Sequence, residues 1–308
     1  MNVNEVVFEV SPEMEGERID KCISSYLSAV SRNYIQKLIK NDGVFVNDKA
    51  VKANYKFKLE DRIRFEIPKS EEPDIPAQDI PLDILYEDKD LLIVNKPKNM
   101  VVHPAPGHYE GTLVNAVLYH CRGDLSGING VLRPGIVHRI DKDTTGSLIV
   151  CKNDRTHNAI AQLLKTHDIT RKYRAIVFGS IKEDEGTISA PIGRHSTDRK
   201  KMAVNERTGK HAVTHYRVLE RFNGYTYIEC RLETGRTHQI RVHMASIGHP
   251  LVGDTLYSGN RKIPFKLEGQ ALHAMTIGFV HPSTNAYIEL DAPIPQYFTN
   301  LLEILRTK

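Results

Sequence analysis

Apolar residues in the first seventy positions recur at three- and four-residue intervals, which predicts two amphipathic helices. The apolar face of the first helix is formed by Ile19, Cys22, Ile23, Tyr26 and Leu27. Ser31 can cap the second helix, whose apolar face is formed by Ile35, Leu38 and Ile39. The run from Val44 to Val51 then predicts a short hairpin with its turn at Asn47-Asp48.

Basic residues gather around these helices and the hairpin, among them Arg32, Lys37, Lys40 and Lys49. They can form either a solvated surface or a surface that faces phosphates. The stretch 70–81 follows, with three prolines and four acidic residues, a composition that continues neither helix nor sheet. We therefore predict a module at 1–70, a linker at 71–81 and a larger domain at 82–308.

The larger domain is dominated by segments in which apolar and polar residues alternate, as expected for a half-buried antiparallel sheet. The predicted strands cover 91–94, 147–150, 172–178, 213–219, 225–232 and 287–290. One helix is predicted with Thr156 as its cap, a second from His238 to Ile247 with Ile247 on the core face, and a third at the carboxyl end around Phe298 to Leu305. Regular alternation of strand and helix is missing, so the pattern favours an α+β fold with a mixed, mainly antiparallel sheet.

Composition narrows the class of protein only a little. The 308 residues carry a formal net charge of +4, which suits a polyanionic partner without requiring one. The four cysteines form no CxxC pair and stand among apolar neighbours, so we interpret them as small buried hydrophobic residues. Neither a signal peptide nor a membrane span is visible, and we expect a cytoplasmic protein.

The densest polar segment is Gly135-Ile-Val-His-Arg-Ile-Asp-Lys-Asp-Thr-Thr-Gly146, directly before an apolar strand. It places His138, Arg139 and Asp141 on one loop, where burial is costly unless the groups pair or take part in chemistry. Loops held by a rigid scaffold often carry active groups. A turn with surface ion pairs is the alternative interpretation.

A second polar segment, Gly235-Arg-Thr-His-Gln-Ile-Arg-Val-His243, opens a predicted helix. Arg241 lies beside the core face, and a buried guanidinium there needs an anionic partner such as an aspartate. His238 and His243 are five residues apart, whereas zinc ligands on one helix face are four apart, so we expect no metal.

Two further segments carry candidate residues. Tyr173 shares a strand face with Ala175 and Val177, where core packing is the simpler interpretation. The stretch 194–210 is predicted to be a long basic loop without apolar periodicity, whose length and charge suit a phosphate backbone. Its candidate contacts are Arg194, Lys200 and Lys201.

Together these segments resemble the RluA/RluD family of pseudouridine synthases. The signature H-R-L-D-K-x-T-S-G appears as His138 to Gly146, and G-R-T-H-Q-I-R-V-H appears intact at Gly235 to His243. Further matches are Arg171-Lys-Tyr173, Asn95-Lys-Pro97, Gly248 to Asp254, and Leu272-His-Ala274. The first seventy residues resemble the S-four (alpha-L) RNA-binding module, although Asp48 and Glu60 stand where that module commonly has glycine.

The resemblance implies a site-specific isomerisation of uridine to pseudouridine in structured RNA without metal or nucleotide cofactor. It favours large-subunit ribosomal RNA as the substrate, with transfer RNA as the alternative. Asp141 would be the essential carboxylate, Arg241 its opposing charge, and Tyr173 the group that stacks on the flipped base. Leu272 would be an apolar wall, with His238 and Gln239 as further substrate contacts. Arg139 and the 194–210 loop would hold phosphates, and the protein would act as a monomer.

Two other interpretations stay open at this point. Asp141-Lys-Asp-Thr-Thr145 also fits D-x-D-x-T, the nucleophile motif of haloacid-dehalogenase-type phosphatases, with Asp254 as a possible magnesium ligand. That motif usually follows an uninterrupted apolar strand, whereas here the residues before Asp141 include the polar His138 and Arg139. The chain could also be an RNA-binding protein without activity, although Asp141, Tyr173 and Arg241 all stand in their motifs.

Overall fold

The computed structural model of the chain describes residues 3–26, 32–68, 75–105, 108–130 and 133–307. The chain divides into two compact units, Met1–Glu72 and Pro73–Lys308. The described part of the predicted linker, 75–81, contains no helix or strand. Ile75 is nevertheless buried in the core of the second unit, and Asn115 donates a hydrogen bond to the Pro76 carbonyl (2.8 Å). The second unit therefore begins within the segment whose composition predicts a linker.

The first unit is a four-stranded antiparallel sheet packed against two helices, in the strand order β1-β4-β2-β3. Its elements are β1 (Val3–Glu9), α1 (Ile19–Tyr26), α2 (Arg32–Lys40), β2 (Val44–Val46), β3 (Lys49–Ala50) and β4 (Arg62–Pro68). Ile19, Ile23, Ile35 and Ile39 are buried in one core, which confirms both amphipathic helices. The proposed cap Ser31 lies outside the described residues.

Two residues that depart from the pattern of the S-four module, Asp48 and Glu60, lie in tight turns of this unit. Asp48 and Glu60, which stand at common glycine positions, both adopt positive φ (63° and 69°). Asn47 also has positive φ (49°), so the predicted hairpin turn has the left-handed backbone that Asn and Asp tolerate best after glycine. The turn geometry is therefore kept without glycine.

The second unit is built on one nine-stranded mixed sheet. Its strands are β5 (Ile84–Glu87), β6 (Leu91–Lys96), β7 (Thr145–Cys151), β8 (Thr170–Phe178), β9 (Glu185–Ser189), β12 (Val213–Phe222), β13 (Tyr225–Leu232), β14 (Leu272–Val280) and β15 (Tyr287–Asp291). The order is β5-β6-β7-β14-β8-β13-β12-β9, and β15 pairs with β14. Among the described strands of this sheet, only β7 and β14 pair in parallel. The predicted α+β fold with a mainly antiparallel sheet is confirmed.

Four helices and a small hairpin complete this unit. They are α3 (Leu113–Cys121), α4 (Asp154–Thr166), the hairpin strands β10 (Ile192–Arg194) and β11 (Met202–Val204), α5 (Gln239–Ser246) and α6 (Gln296–Arg306). Alternate residues of the central strands face opposite sides, so Leu92 and Val94 join the core beneath α3 and α5, whereas Leu91 and Ile93 join the core beneath α4.

Several sequence-based expectations need correction. Helix α4 is capped by Asn153, whose side chain accepts from the Thr156 backbone N–H (2.9 Å), so Thr156 lies inside the helix. Ile247 lies beyond the end of α5 and is 39% exposed, because the backbone leaves helical geometry before it. The segment 194–210 is not irregular throughout, since it contains β11, which pairs with β10 at its beginning.

Several elements were not predicted: helix α3 and the strands β1, β4, β5, β9, β10, β11 and β14. Helix α3 is apolar around most of its circumference, so it carries no amphipathic period. Strand β14 was noticed only as the motif Leu272 to Ala274, although it lies in the middle of the sheet between β7 and β8. All four cysteines are free and three are buried, as their apolar surroundings predict. In the ranges that the structure describes, no helix combines the length and apolar character needed to span a bilayer.

Candidate active site

The loop that carries Asp141 is fixed by a hydrogen bond from a buried lysine. Lys96 at the end of β6 is fully buried, and its ammonium donates hydrogen bonds to the carbonyls of Pro97 (2.7 Å), Met100 (2.8 Å) and Lys142 (3.0 Å). The loop also closes on itself, since the Thr144 N–H donates to the Asp141 carbonyl (3.1 Å). The backbone that directly follows Asp141 is therefore fixed.

Gly146 then lets the chain enter β7 beside β14. Its φ is +111°, a conformation that only glycine adopts readily, and a Cβ there would overlap the backbone of Ala274. The close approach brings the Asp141 loop next to the start of β14. This glycine of the signature is therefore required by packing between the two parallel strands.

Arg241 on α5 links two carboxylates. Its Nη1 donates to Asp141 (2.8 Å), while its Nε and Nη2 donate to the two oxygens of Asp254 (2.6 and 2.9 Å). Burial alone would lower the pKa of this guanidinium, but the hydrogen bonds and charges of Asp254 and Asp141 raise it above its usual value. Arg241 is therefore a permanent positive charge held against Asp141.

Sequence reasoning missed the role of Asp254. This carboxylate is fully buried, and besides Arg241 it accepts from the backbone N–H groups of Leu256 and Tyr257 (3.0 and 3.2 Å). The signal was present in the Gly248–Asp254 pattern, but Asp254 was considered only as a possible magnesium ligand. Its oxygens are instead committed to Arg241 and the backbone, which removes that support for the phosphatase interpretation.

Asp141 and Arg241 line a cavity of about 560 Å³, within the range of roughly 300–1,000 Å³ that small-molecule sites occupy. Tyr173 on β8 and Leu272 on the neighbouring strand β14 form part of its wall. Burial raises the pKa of Tyr173, so its phenol is neutral at neutral pH. The cavity thus brings together the Asp141 carboxylate, the permanent positive charge of Arg241, the neutral ring of Tyr173 and the apolar side chain of Leu272.

His238 joins the cavity through a chain of hydrogen bonds. The Met202 N–H donates to the Tyr257 hydroxyl (2.8 Å), whose oxygen lies within hydrogen-bond distance of Nδ1 of His238 (2.8 Å). The other ring nitrogen, Nε2, lies 3.8 Å from Asp141. Burial lowers the pKa of His238, with Asp141 acting in the opposite direction. His238 is also held at a strained φ of 57°.

Gln239 lines the cavity with its amide fully engaged. Its Oε1 accepts from the Thr234 hydroxyl and the Arg236 N–H (2.8 and 2.9 Å), and its Nε2 donates to the Val213 carbonyl and the Thr214 hydroxyl (2.9 and 3.1 Å). A polar contact from Gln239 to substrate would have to displace one of these partners.

The histidines of α5 are not arranged around a metal. His243 lies within hydrogen-bond distance of the Thr214 hydroxyl and the Ala190 carbonyl (2.9 and 3.0 Å). Among the described residues, the one group of His, Cys, Asp and Glu close enough to hold an ion is Asp88, Asp90 and His281. Nδ1 of His281 accepts two backbone N–H groups, so in the neutral ring Nε2 carries the proton and cannot ligate.

The predicted phosphate contacts lie in three places. Arg139 is exposed and lines the cavity. Arg194, Lys200 and Lys201 lie on the β10–β11 hairpin. In the first unit, Lys37, Lys40 and Lys49 are exposed, while Arg32 forms an ion pair with the buried Asp20 (3.0 Å). The charge of Arg32 is therefore already partly neutralised.

Comparison with known proteins agrees with this geometry. A model of the family described as RNA pseudouridylate synthase matches residues 90–246, and a model of the S4 domain matches residues 17–63. The chain is 53% identical to the uncharacterized RNA pseudouridine synthase YlyB of Bacillus subtilis, over 99% of each protein. It is 47% identical to the ribosomal large subunit pseudouridine synthase D of Zymomonas mobilis, over 96% of each. Among solved structures, the human RNA pseudouridylate synthase domain containing 1 superimposes with a TM-score of 0.56 at 28% identity, covering 76% of this chain and 98% of that one.

Proposed function

Because the chain belongs to the RNA pseudouridine synthase family and so isomerises uridine to pseudouridine, we propose that Asp141 is its essential catalytic group and that large-subunit ribosomal RNA is its substrate. The observation that carries the assignment of Asp141 is its 2.8 Å hydrogen bond from Arg241 inside a cavity that also contains Tyr173.

The target uridine must leave its helix or loop to reach this cavity, at a cost of a few kcal/mol that RNA contacts offset. The reaction then breaks the bond between the base nitrogen and the anomeric carbon, turns the uracil and forms the bond from its carbon five. Asp141 acts on the ribose, as nucleophile at the anomeric carbon or as base. Both roles require a negatively charged carboxylate, and Arg241 stabilises that charge.

Tyr173 and Leu272 hold the uracil while it is detached from the sugar. The phenol ring offers a face on which the base can stack, a contact worth roughly 1–3 kcal/mol per base in single-stranded nucleic acid complexes. Leu272, on the neighbouring strand, adds a part of the wall without hydrogen-bonding groups, so the base is free to turn. The neutral Tyr173 hydroxyl would take part in the removal of the proton from carbon five.

Support for the choice of RNA comes from the relatives and from the first unit. The Zymomonas mobilis relative is named for the large ribosomal subunit and aligns with nearly the whole chain. The first unit matches an S4 domain and exposes Lys37, Lys40 and Lys49 to solvent. These cations, together with Arg194, Lys200 and Lys201, would bind phosphates of the folded RNA around the target.

We further propose that the enzyme acts in the cytoplasm as a monomer and needs neither metal nor nucleotide cofactor. The reaction is internally balanced, since no atom enters or leaves. Turnover by purified protein should therefore be unchanged by a chelator. Loss of activity on chelation, restored by a divalent metal, would overturn this part of the proposal.

The experiment for the main proposal has two steps. Pseudouridines are mapped in total RNA from cells with and without the gene, and the sites that vanish identify the substrate. The Asp141→Asn variant should then fail to restore them, while its RNA affinity stays within roughly tenfold of wild type. Asp143→Asn is the matched control, because this carboxylate stands two residues away but outside the cavity lining. Restoration of all sites by Asp141→Asn would refute the assignment.

A further inference from the structure

A second guanidinium lies in the cavity wall, and no carboxylate of the described residues pairs with it. Arg171 stands two residues before Tyr173 on β8, so both side chains leave the same face of the strand. Arg171 is only 7% exposed. Arg241, in the same cavity, has two carboxylate partners, whereas Arg171 appears in no ion pair of the described chain.

The contacts of Arg171 hold the side chain without neutralising it. Its Nη2 donates to the Glu233 carbonyl (2.9 Å), and its Nε is buried with no hydrogen-bond partner among the described residues. Its Nη1 packs over Gly235, where a Cβ would come within 2.7 Å of it. The glycine thus makes room for the guanidinium at the cavity wall.

A buried guanidinium without a countercharge is energetically unfavourable. Moving an unpaired charge out of water costs several kcal/mol unless an opposite charge and hydrogen bonds compensate. The Glu233 carbonyl accepts a hydrogen bond from one N–H group of Arg171 but carries no negative charge. A buried guanidinium with free donors in a ligand cavity is therefore suited to bind an anion that arrives with the ligand.

The surrounding charges point to the same kind of ligand. The cavity is lined by the basic side chains of Arg139, Lys165, Arg171, Arg236 and Arg241, against one carboxylate, Asp141. His138, which lines the same cavity, supplies no negative charge either. Its Nε2 accepts a hydrogen bond from the Ile149 N–H (3.0 Å), so its ring is a neutral hydrogen-bond acceptor. The cavity as a whole is short of negative charge.

We propose that Arg171 binds a backbone phosphate of the RNA next to the extruded uridine, so that the phosphate supplies the countercharge missing from the free enzyme. Two residues along a strand separate Tyr173 and Arg171 by roughly 7 Å. One side chain can therefore contact the base while the other contacts the phosphate of the same nucleotide unit. This inference rests on the proposed function, because it requires a flipped nucleotide in this cavity.

The test uses the full chain and the smallest stem-loop RNA that the wild-type enzyme isomerises. In two modified RNAs, an uncharged methylphosphonate replaces the phosphate on the 5′ or the 3′ side of the target uridine. Affinities are measured for wild type, Arg171→Gln, Arg171→Lys and the control Arg155→Gln. Arg155 is an exposed arginine of α4 outside the cavity lining, so it reports the loss of one charge elsewhere.

We expect one methylphosphonate to weaken wild-type binding roughly 10- to 100-fold, the range for a hydrogen bond to a charged group. Arg171→Gln should bind the unmodified RNA with a similar loss, and should no longer distinguish it from that modified RNA. Its plot of log affinity against log salt should be shallower by about one, and Arg171→Lys should restore the slope. Arg155→Gln should keep the discrimination of wild type.

Equal sensitivity of wild type and Arg171→Gln to both methylphosphonates would overturn the inference, as would a loss of turnover with unchanged affinity and salt slope. If Arg171→Gln does not fold, Gly235→Ala, which crowds Nη1, takes its place in the same comparison. If wild type isomerises no RNA, the proposed function itself fails. The two failures are therefore distinguishable.

Discussion

Replacing Asp254 by asparagine should damage the stability of the protein far more than the same change at Asp141. The two carboxylates share Arg241, but their surroundings differ. The Asp254 side chain is fully buried and accepts four N–H groups, two from Arg241 and two from the backbone. The Asp141 side chain is 18% exposed and accepts one hydrogen bond from Arg241.

The magnitude follows from these contacts. Whichever way an asparagine amide is turned at 254, its NH2 group faces N–H donors, and Arg241 keeps only the partly exposed Asp141 as its countercharge. Breaking a buried ion pair by removing one partner costs about 3–5 kcal/mol. For a domain of this size, that corresponds to a fall in melting temperature of roughly 6–20 °C. At 141 the amide oxygen can still accept from Arg241, so we expect a change within about 1 kcal/mol.

Thermal unfolding followed by circular dichroism, together with turnover on the mapped RNA, separates the two roles. Asp254→Asn should melt early and, where still folded, turn over slowly because Arg241 is no longer fixed. Asp141→Asn should melt close to wild type and be inactive. A melting temperature for Asp254→Asn within about 2 °C of wild type would refute the reasoning, since four buried donors cannot lose their anion at so small a cost.

Two further predictions concern the neighbouring side chains. Tyr173→Phe should keep the stacking surface and near-normal RNA affinity but lower turnover roughly 100-fold, the scale of a lost proton-transfer group; wild-type turnover would leave Tyr173 with stacking alone. Burial, with a smaller contribution from the charge of Arg171, lowers the pKa of His138 from 6.5 to about 3. Between these two pH values, the unfolded chain binds a proton at His138 that the folded chain does not bind. Stability should fall as pH drops from 6.5 toward 3, by at most about 1.4 kcal/mol per pH unit, and His138→Gln should flatten that slope in urea titrations. An unchanged slope in the variant would assign the acid sensitivity to other groups.

Much of the fold could be predicted from local pattern. The amphipathic period of α1, α2 and α6 and the alternation along β12 and β13 depend only on residues within a few positions of one another, so these elements were found. Element ends were less predictable. The cap of α4 is decided by which of two nearby polar side chains reaches the free N–H groups, and Asn153 does so in place of Thr156.

The candidate site shows the same division. That Arg241 would need an anionic partner followed from its position beside an apolar helix face, because a buried guanidinium is costly when unpaired. That this partner is Asp141, 100 residues away, was expected only from the family resemblance, and the second carboxylate, Asp254, was not foreseen. Likewise, the unpaired state of Arg171 became visible only when every neighbour of its side chain was known.

What the sequence by itself determined is the amphipathic helices, the alternating strands and the two motif segments, since these arise from short-range spacing. Tertiary structure alone decided that β14 lies between β7 and β8, and that Asp254 and Asp141 meet at one guanidinium. The physical reason is that pairing between distant strands, and the sharing of a buried charge, depend on which surfaces are brought together when the chain folds. Spacing along the chain carries no record of those distances.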